Sequence, residues 1–354
     1  MKKIFLETHN IQNQYSGFGQ FNLHLLKGLY NSKETDLQFI AHTNNKKELI
    51  THFGNYFKYR FYYGFTRYRF ASIRKKYDIW HSVNQNTKTE PYYNIPYVLT
   101  IHDVNFVEEI SNDLSHPRNK TFINKLNRSH AITYISEYAK KVTHQYFDVP
   151  NVPEYIIHNG NPSNIKLDIS QYKPSFETQG PYLFSIGDFF ERKNFHKLVE
   201  MMPYLKNYKL IIAGNKDRSY GNRVEETIKK LQLQEKVTLL GRISEEEKQY
   251  HLKNCTAFVF PSIREGFGLP PIEAMSFGTP VFLANKTSLP EIGGEYAFYW
   301  DDFSPKVMAE ILEKSMQKFE SNTALFETEL KKQAAKFNWD EAAKKYIEVY
   351  KSLL

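Results

Sequence analysis

At 354 residues the chain is too long for one comfortable hydrophobic core, so two domains are expected, and 41% apolar with 24% charged residues excludes a disordered chain. Its single cysteine, Cys255, excludes an internal disulfide, and no apolar run reaches membrane-spanning length. A formal charge of +8 calls for a polyanionic neighbour, either substrate phosphates or an anionic membrane surface.

The first residues, Met-Lys-Lys-Ile-Phe-Leu, have the charged start of a signal peptide, but the apolar run ends at Glu7 and reads better as a first strand. Short apolar runs then alternate with longer polar, helix-like segments, the βαβ rhythm of a parallel sheet. The expected strands are residues 3–7, 37–41, 78–81, 97–102, 131–135 and 155–158. After the first comes Tyr15-Ser16-Gly17-Phe18-Gly19-Gln20, then an amphipathic pattern from Phe21 to Leu29. A glycine loop between strand and helix can hold a phosphate or admit an acceptor, and a plain tight turn explains it equally well.

From Phe57 to Tyr77 the composition changes. Seven bases (Lys58, Arg60, Arg67, Arg69, Arg74, Lys75, Lys76) interleave with aromatics, without one acid. The pattern suits a membrane interface or single-stranded nucleic acid, or a basic surface helix with its aromatics packed inward. His102 terminates a strongly apolar strand, a place where histidine is more often a satisfied core residue than a catalyst.

Residues 161–180 carry Asn161-Pro162-Ser163, Lys173-Pro174-Ser175 and Gln179-Gly180-Pro181 with little periodicity, the composition of a linker. Strand–helix alternation restarts at residues 182–186 and is followed by Gly187-Asp188-Phe189-Phe190-Glu191-Arg192-Lys193-Asn194. Arg192 and Lys193 fall where a helix begins, and cations beside helix amides make a diphosphate site, although a solvated basic pair is the commoner case. Residues 210–214 and 237–243 are two more strand segments with a glycine at the strand end, Gly214 and Gly241, and Ser244 with Glu247 forms a capping box for the next helix.

The run Ala257-Phe258-Val259-Phe260 reads as a buried strand, and the stretch from Pro261 to Ala274 follows it. Pro271 suits a first helical residue and Gly278 a helix stop, so the order is strand, glycine loop, helix N-terminus. Gly266 and Gly268 let the backbone approach a ligand, and the loop amides favour an anionic group. Glu265 and Glu273 would repel that anion, so they need hydroxyls: an ionised carboxylate accepts two hydrogen bonds from a diol. An anion flanked by hydroxyl-bearing groups describes a sugar nucleotide. Later strands are expected at residues 281–284 and 297–299, and Phe337-Asn338-Trp339-Asp340 opens a last helix.

The segment Glu265-Gly-Phe-Gly-Leu-Pro-Pro-Ile-Glu273 resembles the Glu-x7-Glu signature of retaining glycosyltransferases of family GT4, which have the GT-B fold. The resemblance implies an α/β chain of two Rossmann-like domains with a central cleft: residues 1–165 on the acceptor side, 166–336 binding the sugar nucleotide, and a final helix, 337–354, crossing back to the first domain. It implies Gly17 and Gly19 facing the donor phosphates. Thr100-Ile101-His102-Asp103 is similar to the family segment whose histidine lies against the donor sugar. Tyr134-Ile135-Ser136-Glu137 and Ile157-His158-Asn159-Gly160 are similar to further family segments. In the family a Gly-Arg pair opens the segment at Gly187 and a lysine closes it, both on the phosphates. Here Asp188 replaces that arginine, Lys193 matches the lysine, and Arg192 is placed to compensate, with Asn194 beside it. The segment at Arg242 and Ile243 resembles the one that holds the base.

The resemblance therefore implies transfer of a hexose-like sugar from a nucleotide-diphosphate sugar, the co-substrate, to an acceptor hydroxyl with retention. His102, Glu265 and Lys193 are the expected catalytic residues. Phe267, Gly268 and Leu269 would supply amides to the diphosphate, and Glu273 would hold the ribose. No metal and no cofactor are expected, in keeping with the lack of an Asp-x-Asp motif. The expected acceptor is a sugar or lipid-linked saccharide in polysaccharide or glycolipid assembly. The chain is expected to be cytoplasmic, peripheral at the inner membrane face if residues 57–77 meet anionic lipid, and not to bind nucleic acid. Two rivals stand: a sugar-nucleotide epimerase or phosphorylase of the same architecture, and a non-catalytic carbohydrate- or nucleic-acid-binding protein. Slow release of free nucleoside diphosphate from a donor separates a transferase from a binder.

Overall fold

A computed structural model describes all residues except Tyr15, Asn164, Ile165 and Thr178, with the Arg69 side chain also undescribed. Tyr15 of the glycine loop, three linker residues and one base of the 57–77 stretch thus lie outside the described residues. The chain forms two compact units. Met1–Gly160 and Asn338–Leu354 make the first, and Asn161–Phe337 the second. The first boundary precedes the expected one because the chain joins the second unit at Asn161, whose amide donates to the Phe337 carbonyl.

The first unit holds β1 (Lys2–Leu6), β2 (Leu37–Thr43), β3 (Lys58–Phe61), β4 (Ile79–Ser82), β5 (Tyr97–Ile101), β6 (Ala131–Tyr134) and β7 (Glu154–Ile156). They form one parallel sheet in the order β3-β2-β1-β4-β5-β6-β7. Every residue of β4, β5 and β6 is buried, which is why these strands read as continuous apolar runs. The strand order reverses between β1 and β4, the place where open α/β sheets receive ligands. Phe5 stacks on Trp80 at 3.9 Å between ring centres, and Leu99, Ile101 and Ile132 extend that core.

The stretch 57–77 is not a helix with inward aromatics. It contains the edge strand β3, then single-turn 3-10 helices at Gly64–Arg67 and Arg69–Ala71. Phe57 and Tyr77 are buried, but Phe61, Tyr63, Phe65, Tyr68 and Phe70 are exposed, Phe70 to 79%. A strand paired on one side only buries little of either face, so its sequence lacks the apolar run that marks β4 to β6.

The last helix, Trp339–Ser352, belongs to the first unit. Its Asn338 cap accepts from the amides of Asp340 and Glu341. It packs on the helix Gly17–Ser32 through Gly28, where an added Cβ would sit 2.5 Å from the Trp339 carbonyl and 2.8 Å from the Ala343 Cβ. Inside the sheet the Tyr350 hydroxyl meets His81 Nδ1 at 2.7 Å, and Thr100 Oγ1 meets its Nε2 at 2.7 Å.

The second unit holds β8 (Tyr182–Ile186), β9 (Lys209–Ala213), β10 (Val237–Gly241), β11 (Ala257–Phe260), β12 (Val281–Ala284) and β13 (Phe298–Trp300). They are parallel in the order β10-β9-β8-β11-β12-β13, so the order reverses between β8 and β11. Both units are therefore Rossmann-like. Ser244 caps the helix Glu245–Asn254 by accepting from the Glu247 amide. The helix after β11 spans Leu269–Phe277 and ends at Gly278, in the left-handed region. Leu269 is its first residue, so Pro271 stands third and Glu273 fifth, two residues deeper than the sequence suggested.

Candidate donor site of the second unit

The loops that leave β8 and β11 meet where the strand order reverses. Backbone bonds stitch them together: the Arg192 carbonyl accepts from the Ile263 amide at 2.9 Å and from the Ser262 hydroxyl at 3.1 Å. That register brings three polar side chains onto one carboxylate oxygen. Glu265 Oε1 accepts from Lys193 Nζ at 2.6 Å, from Ser262 Oγ at 2.6 Å and from Arg192 Nη1 at 3.3 Å. Burial pushes the Glu265 carboxyl up, but Lys193, Arg192 and the Ser262 hydroxyl outweigh it and hold the group below the usual carboxylate range.

Glycine makes this site possible at one place. Gly187 and Gly214 both have positive φ, and a Cβ on Gly214 would stand 2.0 Å from the Gly187 carbonyl. The ends of β8 and β9 thus touch backbone to backbone. Above Gly187 lies the Lys193 side chain, 3.2 Å from where a Cβ would be. Lys193 and Asn194 are buried, Asn194 left-handed at φ 58°, and Arg192 is half-buried. The helix itself starts one residue later, at Phe195, after a 3-10 turn over Glu191–Lys193.

Asp188, standing where the family has an arginine, has its own cation. Arg218 Nη2 lies 3.4 Å from Asp188 Oδ2, and its guanidinium sits over the Phe190 ring at 4.1 Å. Arg192 approaches the same ring at 5.4 Å. Arg218 was missed in the sequence because it follows a different strand, β9, and carries no motif. Three cations and two carboxylates therefore converge on the carboxyl ends of β8, β9 and β11.

Glu273 occupies a second cluster. Its Oε1 accepts from Ser163 Oγ at 2.7 Å and from Lys248 Nζ at 2.5 Å, and Lys248 also pairs with Glu245 Oε2 at 2.8 Å. Burial lowers the Lys248 ammonium, but Glu273 and Glu245 overcome it and hold it above the usual lysine value. Lys248 and Ser163 were also missed. The only local signal for Lys248 was the capping box at Ser244, which makes it the fourth helical residue, and Ser163 had none. Arg242 is exposed and Ile243 half-buried just beyond β10, whose Gly241 carbonyl accepts from the Gly214 amide. The loop that carries Phe267 and Gly268 up to Leu269, the first helical residue, is pinned by Ser288, whose hydroxyl donates to the Glu265 and Phe267 carbonyls at 3.1 and 2.5 Å.

Gly17, Gly19 and His102 lie in the first unit. Ser16 caps the helix there, accepting from the Gly19 amide, and a Cβ on Gly19 would stand 1.9 Å from the Asn13 carbonyl. Gly19 is thus required by the tight turn, whereas Gly17 faces open space. His102 is buried against the edges of Phe18 and Phe21. Its Nε2 donates to the Val83 carbonyl at 2.9 Å, leaving Nδ1 to accept. Burial brings its pKa down to about 4, so the ring is neutral at pH 7.

Residues 168–336 match the family described as Glycosyl transferases group 1, and residues 30–162 match Glycosyltransferase Family 4. The chain belongs to the GT4-type glycosyltransferases. Among curated proteins it is similar to the serotype-specific mannosyltransferase WbdA of Escherichia coli, 27% identical over 76% of this chain and 35% of WbdA. It is also similar to the O-antigen chain mannosyltransferase B of the same species, 30% identical over 49% of this chain and 46% of that protein. The chain thus spans about a third to a half of these relatives' length. Among solved structures, the sucrose-phosphate synthase of Thermosynechococcus elongatus shares the GT-B fold, with a TM-score of 0.73 at 18% identity over 100% of this chain and 99% of that one. Anabaena HepE in complex with UDP and glucose shares it too, with a TM-score of 0.71 at 16% identity over 99% and 100%.

Proposed function

We propose that this GT4-type chain transfers a hexose-like sugar from a nucleotide-diphosphate sugar to an acceptor hydroxyl, with retention of anomeric configuration. The observation that carries the reading is the Lys193–Glu265–Arg192 cluster at the strand reversal of the second sheet. Lys193, Arg192 and the amides of Phe267, Gly268 and Leu269 stabilise the departing diphosphate, where negative charge grows in the transition state. Glu265 takes the donor sugar's hydroxyls and exchanges part of its contact with Lys193 for them. Glu273, oriented by Lys248 and Ser163, takes the ribose. The Nδ1 of neutral His102 accepts from a sugar hydroxyl. Leaving-group departure and acceptor attack occur on the same face, since no side chain in the second-unit cluster is set up as a covalent nucleophile.

The mannosyltransferase relatives and the UDP-bound neighbour favour a saccharide acceptor in polysaccharide assembly and a nucleotide-sugar donor. A lipid-linked acceptor is supported by the basic edge at residues 57–77 with its outward aromatics, of which Tyr63 stacks on Phe65 at 5.4 Å and Tyr68 on Phe70 at 5.8 Å. No helix of the described residues is long and apolar enough to cross a membrane. Incubation with a panel of nucleotide sugars tests the transfer: one donor should release free nucleoside diphosphate slowly alone and faster with acceptor. Release from none would refute it. Vesicle co-sedimentation tests the surface: binding should need anionic lipid, weaken with salt and fall when Arg67, Lys75 and Lys76 become Ser.

A further inference from the structure

At the carboxyl ends of β1 and β2 stand three side chains that no step of the proposed transfer uses. Glu7 follows β1 directly, His9 opens the 3-10 turn His9–Gln12, and His42 is the sixth residue of β2. The two strands pair with Leu6 opposite Ala41, so the next residues, Glu7 and His42, fall side by side. Both are fully buried. Glu7 Oε1 touches His9 Nδ1 and lies 3.6 Å from His42 Nδ1, beyond hydrogen-bond reach.

The cluster is poorly explained as a plain hydrogen-bonded network. Glu7 Oε2 and both ring nitrogens of His42 find no hydrogen-bond partner among the described residues. Buried atoms of this kind are costly unless something else completes them, and an ion would complete Glu7 and one ring nitrogen of His42. One donor atom from each of Glu7, His9 and His42 lies within 4.8 Å of the others. Donors on a tetrahedral zinc ion stand roughly 3 to 3.5 Å apart, so small side-chain rotations close the set. Two imidazoles and one carboxylate suit a borderline divalent ion, whereas calcium and magnesium prefer oxygen alone.

The surroundings hold these ligands in place. Tyr62 stacks on the His9 ring at 4.2 Å and 10°, and meets His42 edge-on at 5.2 Å. The Thr8 hydroxyl donates to the His42 carbonyl at 3.1 Å. His9 is partly exposed, which gives an ion a way in.

We propose that Glu7, His9 and His42 form a zinc-type divalent-cation site that ties the turn after β1 to the end of β2. The same turn leads to Asn13, on whose carbonyl Gly19 packs, so the ion fixes the entry to the Gly17–Ser32 helix. Its three ligands all belong to the first unit, whereas the Lys193–Glu265–Arg192 cluster belongs to the second.

The test uses untagged full chain, stripped with chelator and titrated with Co2+, then with Zn2+ in competition. One equivalent of Co2+ should bind with the visible bands of a four-coordinate site, and Zn2+ should bleach them. His9→Gln and His42→Gln should each weaken Zn2+ binding at least about 10-fold, while His52→Gln, at an exposed histidine elsewhere, should not. His9→Gln alters a partly exposed residue and keeps the test decisive if His42→Gln fails to fold. No saturable Co2+ binding, or Zn2+ binding indifferent to His9→Gln, overturns the proposal.

Discussion

Lys193 and Glu265 act on each other before any ligand arrives. Both side chains are nearly buried, so removing one partner strands the other's charge, at about 3 to 5 kcal/mol for a buried pair. Lys193→Ala should therefore lower stability as well as turnover, and kcat should fall more than KM rises, because the diphosphate's charge grows on departure. Lys193→Met with Glu265→Gln should restore stability without restoring kcat. If the double variant regains turnover, the pair is scaffolding. Glu273→Gln should weaken nucleotide binding by roughly 1 to 3 kcal/mol, the scale of a charged hydrogen bond. Calorimetry on Lys248→Met should show part of the same loss, because Lys248 aims that carboxylate. The two glutamates were legible in the sequence because their spacing is local. Lys248, Ser163 and Arg218 were not, since each reaches its partner across elements that only the fold brings together.

Elements buried on both faces announce themselves. β8, β11 and β12 have the ends that the apolar runs suggested, whereas β3 escaped notice because its residues face solvent or sit half-buried at the sheet edge. The resemblance assigns the last helix to the first domain, but nothing marks Gly28 as its contact until Trp339 and Ala343 are seen against it. Gly28→Ala should cost about 1 to 3 kcal/mol, the scale of overpacking, with no change in nucleotide affinity of the second unit. Urea unfolding followed by tryptophan emission would read the first, and nucleotide titration the second.

Across the whole molecule, buried neutral histidines set the acid limit. Burial brings His81 down to about 3 and both His102 and His196 to about 4 from the ordinary 6.5. The unfolded chain takes up these protons first, so stability is fully present above about pH 6.5 and falls as pH drops toward 4, by up to about 3 kcal/mol for His102 alone. Glu265, held low, stays charged through that window and adds its own loss only below the ordinary carboxylate value. Unfolding midpoints should drop between pH 7 and pH 5, and a flat profile would refute the neutral assignment. The helix Trp339–Ser352 has one more consequence, in time. A ribosome makes the first 160 residues, then all of the second unit, before it makes the tyrosines that cover His81 and Thr100. The first unit therefore lacks the helix that completes its core until the second unit has been synthesised.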